Sequence, residues 1–217
     1  MKFELFDPDG ELRITAGNLP HWYQPGVTYF VTMRTDDSVP QSVAALWHAR
    51  RCDWLRRHAI DPCDPGAQWA ILRLPAEQRR EYQRMFTQRF QEYLDRGHGR
   101  CPFKRVELAQ VVADSLLHFD GDRYHIGDLV VMPNHVHLLV CLLGDTEIER
   151  QCHDWKQFTA VRINRALGRR GRFWQEESFD HLVRSADEFE YFERYIAENP
   201  TKARLREGQF IYRRRSE

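Results

Sequence analysis

No two cysteines in this sequence are spaced CxxC. The five thiols, Cys52, Cys63, Cys101, Cys141 and Cys152, are odd in number and scattered, which argues against a disulfide framework or a zinc knuckle and suits a reducing cytosol. No apolar run approaches the length needed to span a bilayer, and the charged, turn-forming start MKFELFDPDG holds no signal-peptide core. The expectation is a soluble, cytoplasmic protein with no membrane partner. Net charge is missing too: 32 Lys plus Arg stand against 32 Asp plus Glu, so any surface for a polyanion must come from local segregation. What is present is 217 residues, 42% hydrophobic and 12% aromatic, enough for one substantial core and short for two full domains.

Val27 to Thr35 (VTYFVTMRT) follows Pro25-Gly26 and is rich in β-branched and aromatic residues, which predicts a strand. From about Asp36 to Arg100 the pattern changes. Val43, Leu46, Trp47, Arg50 and Trp54, then Tyr82, Met85, Phe86, Phe90 and Tyr93, recur near helical spacing in polar sequence, predicting two amphipathic helices joined by the DPCDPG turn. Leu108 to Leu117 reads as a further helix, and Tyr124 to Met132 as a strand after the Asp120-Gly121 turn. Pro133-Asn134 then turns into a second strand, so the two form an antiparallel pair.

That second strand carries the most informative pattern, VVMPNHVHLLV over Val130 to Val140. Alternate strand side chains share a face, so His135 and His137 lie together with Val136 turned away, their Cα atoms roughly 7 Å apart, and two such imidazoles can converge on one divalent cation. A hydrogen-bonded, semi-buried histidine pair is the competing reading.

Thr146 to Leu167 predicts a helix begun by Asp145 or Thr146 and stopped by Gly168. Its second half and the following loop carry Lys156, Arg162, Arg165, Arg169, Arg170 and Arg172 with no acid between them. Phe173 and Trp174 follow directly. Arginines interleaved with aromatics suit a single-stranded nucleic-acid path, by phosphate neutralisation and base stacking, although a solvated helix face followed by two core aromatics fits the same residues. Ser185-Ala-Asp-Glu188 is a capping box for a helix from Ala186 to about Glu198, ended by Pro200. Phe189, Phe192 and Ile196 form its apolar stripe, and Tyr191, Tyr195 and Asn199 a second stripe bordering it.

These residues resemble a known family. MPNHVHLLV is similar to the HUH motif (histidine, hydrophobe, histidine) of the single-tyrosine transposases. GRFWQEESFDHLVRSADEFEYFERYIAENPTKA, Gly171 to Ala203, looks like the signature region of their REP-associated branch, relatives of the insertion-sequence transposases that act on repetitive extragenic palindromes. The resemblance takes in Val27 to Thr35 and Lys104 to about Leu205. It implies that His135 and His137 are metal ligands, that Tyr195 is the nucleophile, and that Asn199 completes the metal site. Thr201, where an aliphatic residue is common, is a modest departure. The helical insertion at about 36–100 is a larger one.

The implied chemistry is metal-dependent cleavage and rejoining of single-stranded DNA beside hairpins. A phenol with a pKa of about 10 is a poor nucleophile at neutral pH, so Mg²⁺ or Mn²⁺ would polarise the scissile phosphate. Attack by Tyr195 would leave a 5′-phosphotyrosyl link and a free 3′-hydroxyl. The DNA-binding candidates are Arg162, Arg165, Arg169, Arg170, Arg172 and Trp174, and the partners are single-stranded DNA hairpins, with the protein a monomer or a homodimer. A hairpin-binding module with an RRM-like sheet and no catalysis is the alternative, in which metal would be dispensable. A histidine-triad hydrolase fails on Leu139, where a third histidine is required. The expected fold is α+β, one HUH domain over 1–217 with a ferredoxin-like or RRM-like antiparallel sheet of four or five strands, helices packed on one face, and the insertion added.

Overall fold

A computed structural model describes residues 3–16, 20–64 and 66–215. A short hairpin, β1 (Arg13–Ala16) and β2 (Pro20–Tyr23), precedes the first strand of the main sheet, β3 (Thr28–Arg34). Four helices follow: α1 (Gln41–Arg57), α2 (Ala67–Arg73), α3 (Ala76–Tyr82) and α4 (Arg89–Asp95). Then come α5 (Val106–Leu117), β4 (Tyr124–Val131), β5 (His135–Leu142), α6 (Ile148–Ala166), β6 (Phe179–Leu182), α7 (Ala186–Lys202) and β7 (Ile211–Arg213). Among the described residues no helix is long and apolar enough to cross a membrane.

The five-stranded sheet has the order β6-β3-β5-β4-β7, and every neighbouring pair is antiparallel. Leaving out β7, the path β3-α5-β4-β5-α6-β6 is the βαββαβ unit of a ferredoxin-like fold. The α+β class and the antiparallel sheet agree with the sequence reading. The helices, however, lie on both faces rather than one. Tyr29, Val31 and Met33 of β3 and Val136, Leu138 and Val140 of β5 point into a core with Leu108, Val112 and Leu116 of α5 and Trp155 and Ile163 of α6. On the opposite face Phe30, Val130 and Leu139 meet Phe189, Phe192, Tyr195 and Ile196 of α7. The strands therefore read as nearly continuous apolar runs because both faces are covered.

Two local features shape the sheet centre. Between Ile126 and Leu129 the β4–β5 register shifts, and Gly127 sits there because a Cβ would meet the Leu139 Cβ at 2.9 Å. At the end of α6, Gly168 takes φ +62°, as a helix stop requires. The start of α6 differs from expectation: its cap is Glu147, whose side chain makes no capping bond.

The capping box on α7 is only half formed. Ser185 accepts from the Glu188 N–H at 3.1 Å, while the Glu188 carboxylate accepts from the N–H of Arg184, at 2.6 Å, and from His181. Pro200 does not end the helix. It occupies the last turn, where a missing N–H costs one bond, and the Ala203 N–H still reaches the Asn199 carbonyl at 3.0 Å.

The inserted helices have a small core of their own, Trp54, Leu55, Ile60, Ala67 and Ile71. The second expected helix is broken twice. Leu74, held extended before Pro75, separates α2 from α3, and a π-helical stretch, Gln83–Gln88, joins α3 to α4. That wider turn changes the helix phase, and α4 then buries Gln91 and Leu94 and ends on Asp95. Arg100 closes the stem by pairing with Asp37 at 2.7 Å and Asp36 at 3.0 Å.

Candidate active site

Strand alternation sends His135 and His137 to the face covered by α7, and both are fully buried. Each ring is oriented through its Nδ1. His137 Nδ1 lies 2.8 Å from Thr32 Oγ1 on the neighbouring strand, and His135 Nδ1 lies 2.7 Å from Asn134 Oδ1. The Asn134 amide is itself fixed, since its Nδ2 donates to the His98 carbonyl at 2.8 Å. Its oxygen therefore faces His135, which makes His135 Nδ1 the donor, so that in the neutral ring the lone pair is on Nε2. Burial, reinforced by His135 alongside, holds His137 neutral well below the ordinary histidine pKa. A neutral imidazole whose Nε2 carries the lone pair is the form that binds metal.

The phenol and the amide come from α7, packed across the same face. Phe192 stacks on Phe30 at 4.2 Å, Phe30 stacks on His137 at 5.4 Å, and Tyr195 stands edge-on to Phe30 at 5.9 Å. These contacts bring the Tyr195 hydroxyl to 3.5 Å from His137 Nε2. Burial raises the Tyr195 pKa well above the usual phenol value, with the Asp95 charge adding to the rise. Asn199, one turn on and fully buried, donates through Nδ2 to Asp95 Oδ1 at 3.1 Å.

Asp95 is the participant that the sequence did not reveal. It arrives from the end of α4, and its Oδ1 is 3.5 Å from His135 Nε2. One donor atom from each of Asp95, His135 and His137 lies within 4.8 Å of the others. Donors about 2.1 Å from a shared cation are at most roughly 4.2 Å apart, so a small contraction would complete the set. Two buried atoms here, His135 Nε2 and Asn199 Oδ1, have no hydrogen-bond partner. Such orphans are costly unless something unseen meets them, and a cation would meet both. The donor set fits a divalent metal.

The remaining expected residues divide. Arg162, Arg165, Arg170 and Arg172 are exposed. Arg169 is half-buried, 3.5 Å from Asp36, and donates to the Arg172 carbonyl at 2.7 Å. Trp174 is no stacking platform. It is 4% exposed, its Nε1 donates to Thr159 at 2.9 Å, and its ring packs on Phe103 at 5.3 Å. Lys156 also leaves the basic surface, donating to the Gln175 and Glu176 carbonyls. As a core residue, Trp174→Ala should cost about 3–5 kcal/mol of unfolding free energy in urea. A variant of wild-type stability with weakened DNA binding would return Trp174 to the interface.

Three other tyrosines that could compete for the nucleophile's role lie outside the cluster. Tyr124 is in the core of the other sheet face, Tyr212 donates to Asp128, and Tyr191 is 38% exposed on the outer side of α7. His181 is hydrogen-bonded to Glu188 at 2.8 Å, away from the cluster.

The model of the family "Transposase IS200 like" matches residues 108–199, the segment that holds both histidines, Tyr195 and Asn199. Over these residues the chain is similar to the IS200-like transposases. Asp95 lies outside the matched transposase segment, in the inserted helices. No curated protein matches the chain. A solved structure described as a REP-associated tyrosine transposase bound to a REP hairpin is 16% identical, with a TM-score of 0.43, covering 84% of this chain and 71% of its own.

Proposed function

We propose that this protein is a single-tyrosine transposase of the REP-associated kind, which cuts and rejoins single-stranded DNA beside a hairpin. The observation that carries the reading is the Tyr195 hydroxyl 3.5 Å from His137 Nε2, beside the unmet lone pairs of His135 and Asn199. His135, His137, Asn199 and Asp95 would hold the metal, Mg²⁺ or Mn²⁺. When bound, it supplies Lewis-acid polarisation of the scissile phosphate and charge for the developing phenolate. Tyr195 would form the new O–P bond as the bond from phosphorus to the 3′-oxygen breaks, the phenolic proton passing to solvent and the leaving 3′-oxygen taking one up, so that the strand carries a free 3′-hydroxyl. Because the ester is exchanged and not hydrolysed, a 3′-hydroxyl can reverse the step and join strands.

Counter-charge for the DNA is offered by the exposed Arg162, Arg165, Arg170 and Arg172, with Arg169 beside them. The RRM-like alternative loses its main support, because α7 covers the sheet face on which bases would stack. The test is a labelled hairpin oligonucleotide with single-stranded flanks, incubated with Mn²⁺ and run on a denaturing gel. Absence of both cleavage and adduct on every single-stranded substrate overturns the reading.

The nucleophile and the histidines lie together within one chain, which favours action in cis by a monomer. Mixing Tyr195→Phe with His137→Ala protein should therefore restore no cleavage. Recovery of a substantial fraction of wild-type rate on mixing would show that two chains share the site.

A further inference from the structure

Beside the histidines a cleft opens between the inserted helices and the β6 side of the sheet. One part, of about 410 Å³, is lined by Thr32, Arg34, Trp47, Phe86 and Phe90. It runs past Arg51, Gln91 and Phe179 into a second part of about 480 Å³ that reaches Tyr191 and Phe192 on α7. Each volume is within the range of about 300–1,000 Å³ typical of small-ligand pockets. The site residues themselves do not line the cleft, but three of its wall residues adjoin them. Thr32 holds His137, Gln91 is one helical turn before Asp95, and Tyr191 is one turn before Tyr195.

Arg34 is the informative residue. It pairs in register with His135 and, two residues after Thr32, projects from the same sheet face. Its Nη1 is buried with no hydrogen-bond partner, and its guanidinium stands 5.4 Å from the Phe90 ring centre. Burial lowers its pKa to about 10, which leaves it cationic at neutral pH. The Glu177 charge already acts on this half-buried guanidinium, but its unused donor leaves room for a further anion, and a phosphate is the anion that its planar fork suits. Trp47, Phe86 and Phe90 beside it offer ring surfaces to an unpaired base. Along the whole cleft six arginines stand against four carboxylates; Arg172 pairs with Glu176 at 3.5 Å and Arg184 with Glu188 at 3.9 Å, so the excess of positive charge remains.

We propose that this cleft holds an unpaired nucleotide next to the scissile phosphate, its base among Trp47, Phe86 and Phe90 and its phosphate on Arg34. The proposal rests on the strand-cleavage reading above and names where the single strand lies. It also gives the insertion a task, as one wall of the DNA path.

The test compares two fluorescein-labelled hairpins, one with a single-stranded tail and one blunt, bound by the full chain in EDTA so that no cleavage intervenes. Trp47→Ala and Arg34→Gln should each weaken binding of the tailed hairpin roughly tenfold and leave the blunt one unchanged. A 5-iodouracil in the tail should photocrosslink wild-type protein to a peptide containing Trp47, Phe86 or Phe90, a readout that does not depend on the variants folding. If wild type cleaves the tailed hairpin but the crosslink falls on α6, or both variants bind both hairpins normally, the cleft assignment is overturned. Equal losses for the two hairpins also overturn it. Failure of wild type to form any adduct would instead remove the cleavage reading.

Discussion

Tyr195→Phe is expected to abolish the covalent protein–DNA adduct and to lower strand cleavage by at least about 10³-fold, with hairpin binding kept within a few-fold. The ring fills the same space among Phe30, Phe192 and His137. Only the hydroxyl is lost, and its contacts to His137 and Asn199 are modest, so stability should change by about 1 kcal/mol or less. Tyr191→Phe should leave the adduct in place, because that ring lies 6.4 Å away from Tyr195 on the outer side of α7. Mass spectrometry of the trapped adduct identifies the tyrosine directly, and a full adduct on Tyr195→Phe protein removes it as the nucleophile.

The same residue sets a pH dependence. Burial raises the phenol pKa, so the protonated form dominates at every physiological pH, and the phenolate fraction grows tenfold for each unit of rise below that pKa. Single-turnover cleavage should therefore climb with pH between about 6 and 9. A flat profile across that window would show that loss of the phenolic proton does not limit the chemistry.

Much of this site could be read from the sequence because its parts are local. The alternation through VVMPNHVHLLV predicts that both histidines share a face, and the α7 pattern places Asn199 one turn after Tyr195. Strands β3, β4 and β5 fall within a residue or so of their expected bounds, since both-face burial makes them strongly apolar. What escaped is what depends on tertiary placement. Asp95 ends a helix in a polar stretch, YLDRGHGR, that carries no ligand spacing, and only the fold of the insertion sets it beside His135. Arg34 reads as the charged end of a strand, yet its Nη1 is buried and its guanidinium packs on the Phe90 ring. Trp174 misled by adjacency, because it follows an arginine run in sequence while its side chain turns inward to Thr159. The apolar stripe of α7 predicts a buried face but not which side of the sheet buries it. That side decides whether the phenol can reach the histidines at all.

Removal of single ligands should separate metal binding from DNA binding. His137→Ala or His135→Ala should lower Mn²⁺ affinity by at least roughly 10–100-fold, read by calorimetry without DNA, and eliminate metal-dependent cleavage, while hairpin binding in EDTA stays within a few-fold. The decisive member of the series is Asp95→Asn. It keeps the size of the side chain and its contact to Asn199 but removes the charge, so a ligand role predicts a fall in Mn²⁺ affinity of the same order, and a merely structural role predicts none. Asp95 also adds negative charge beside Tyr195. Without metal, that charge opposes formation of the phenolate, and with metal bound it would be neutralised. Unchanged Mn²⁺ affinity in Asp95→Asn protein, with both histidine variants impaired, would confine the metal site to the sheet and α7 and leave the insertion with the DNA path alone.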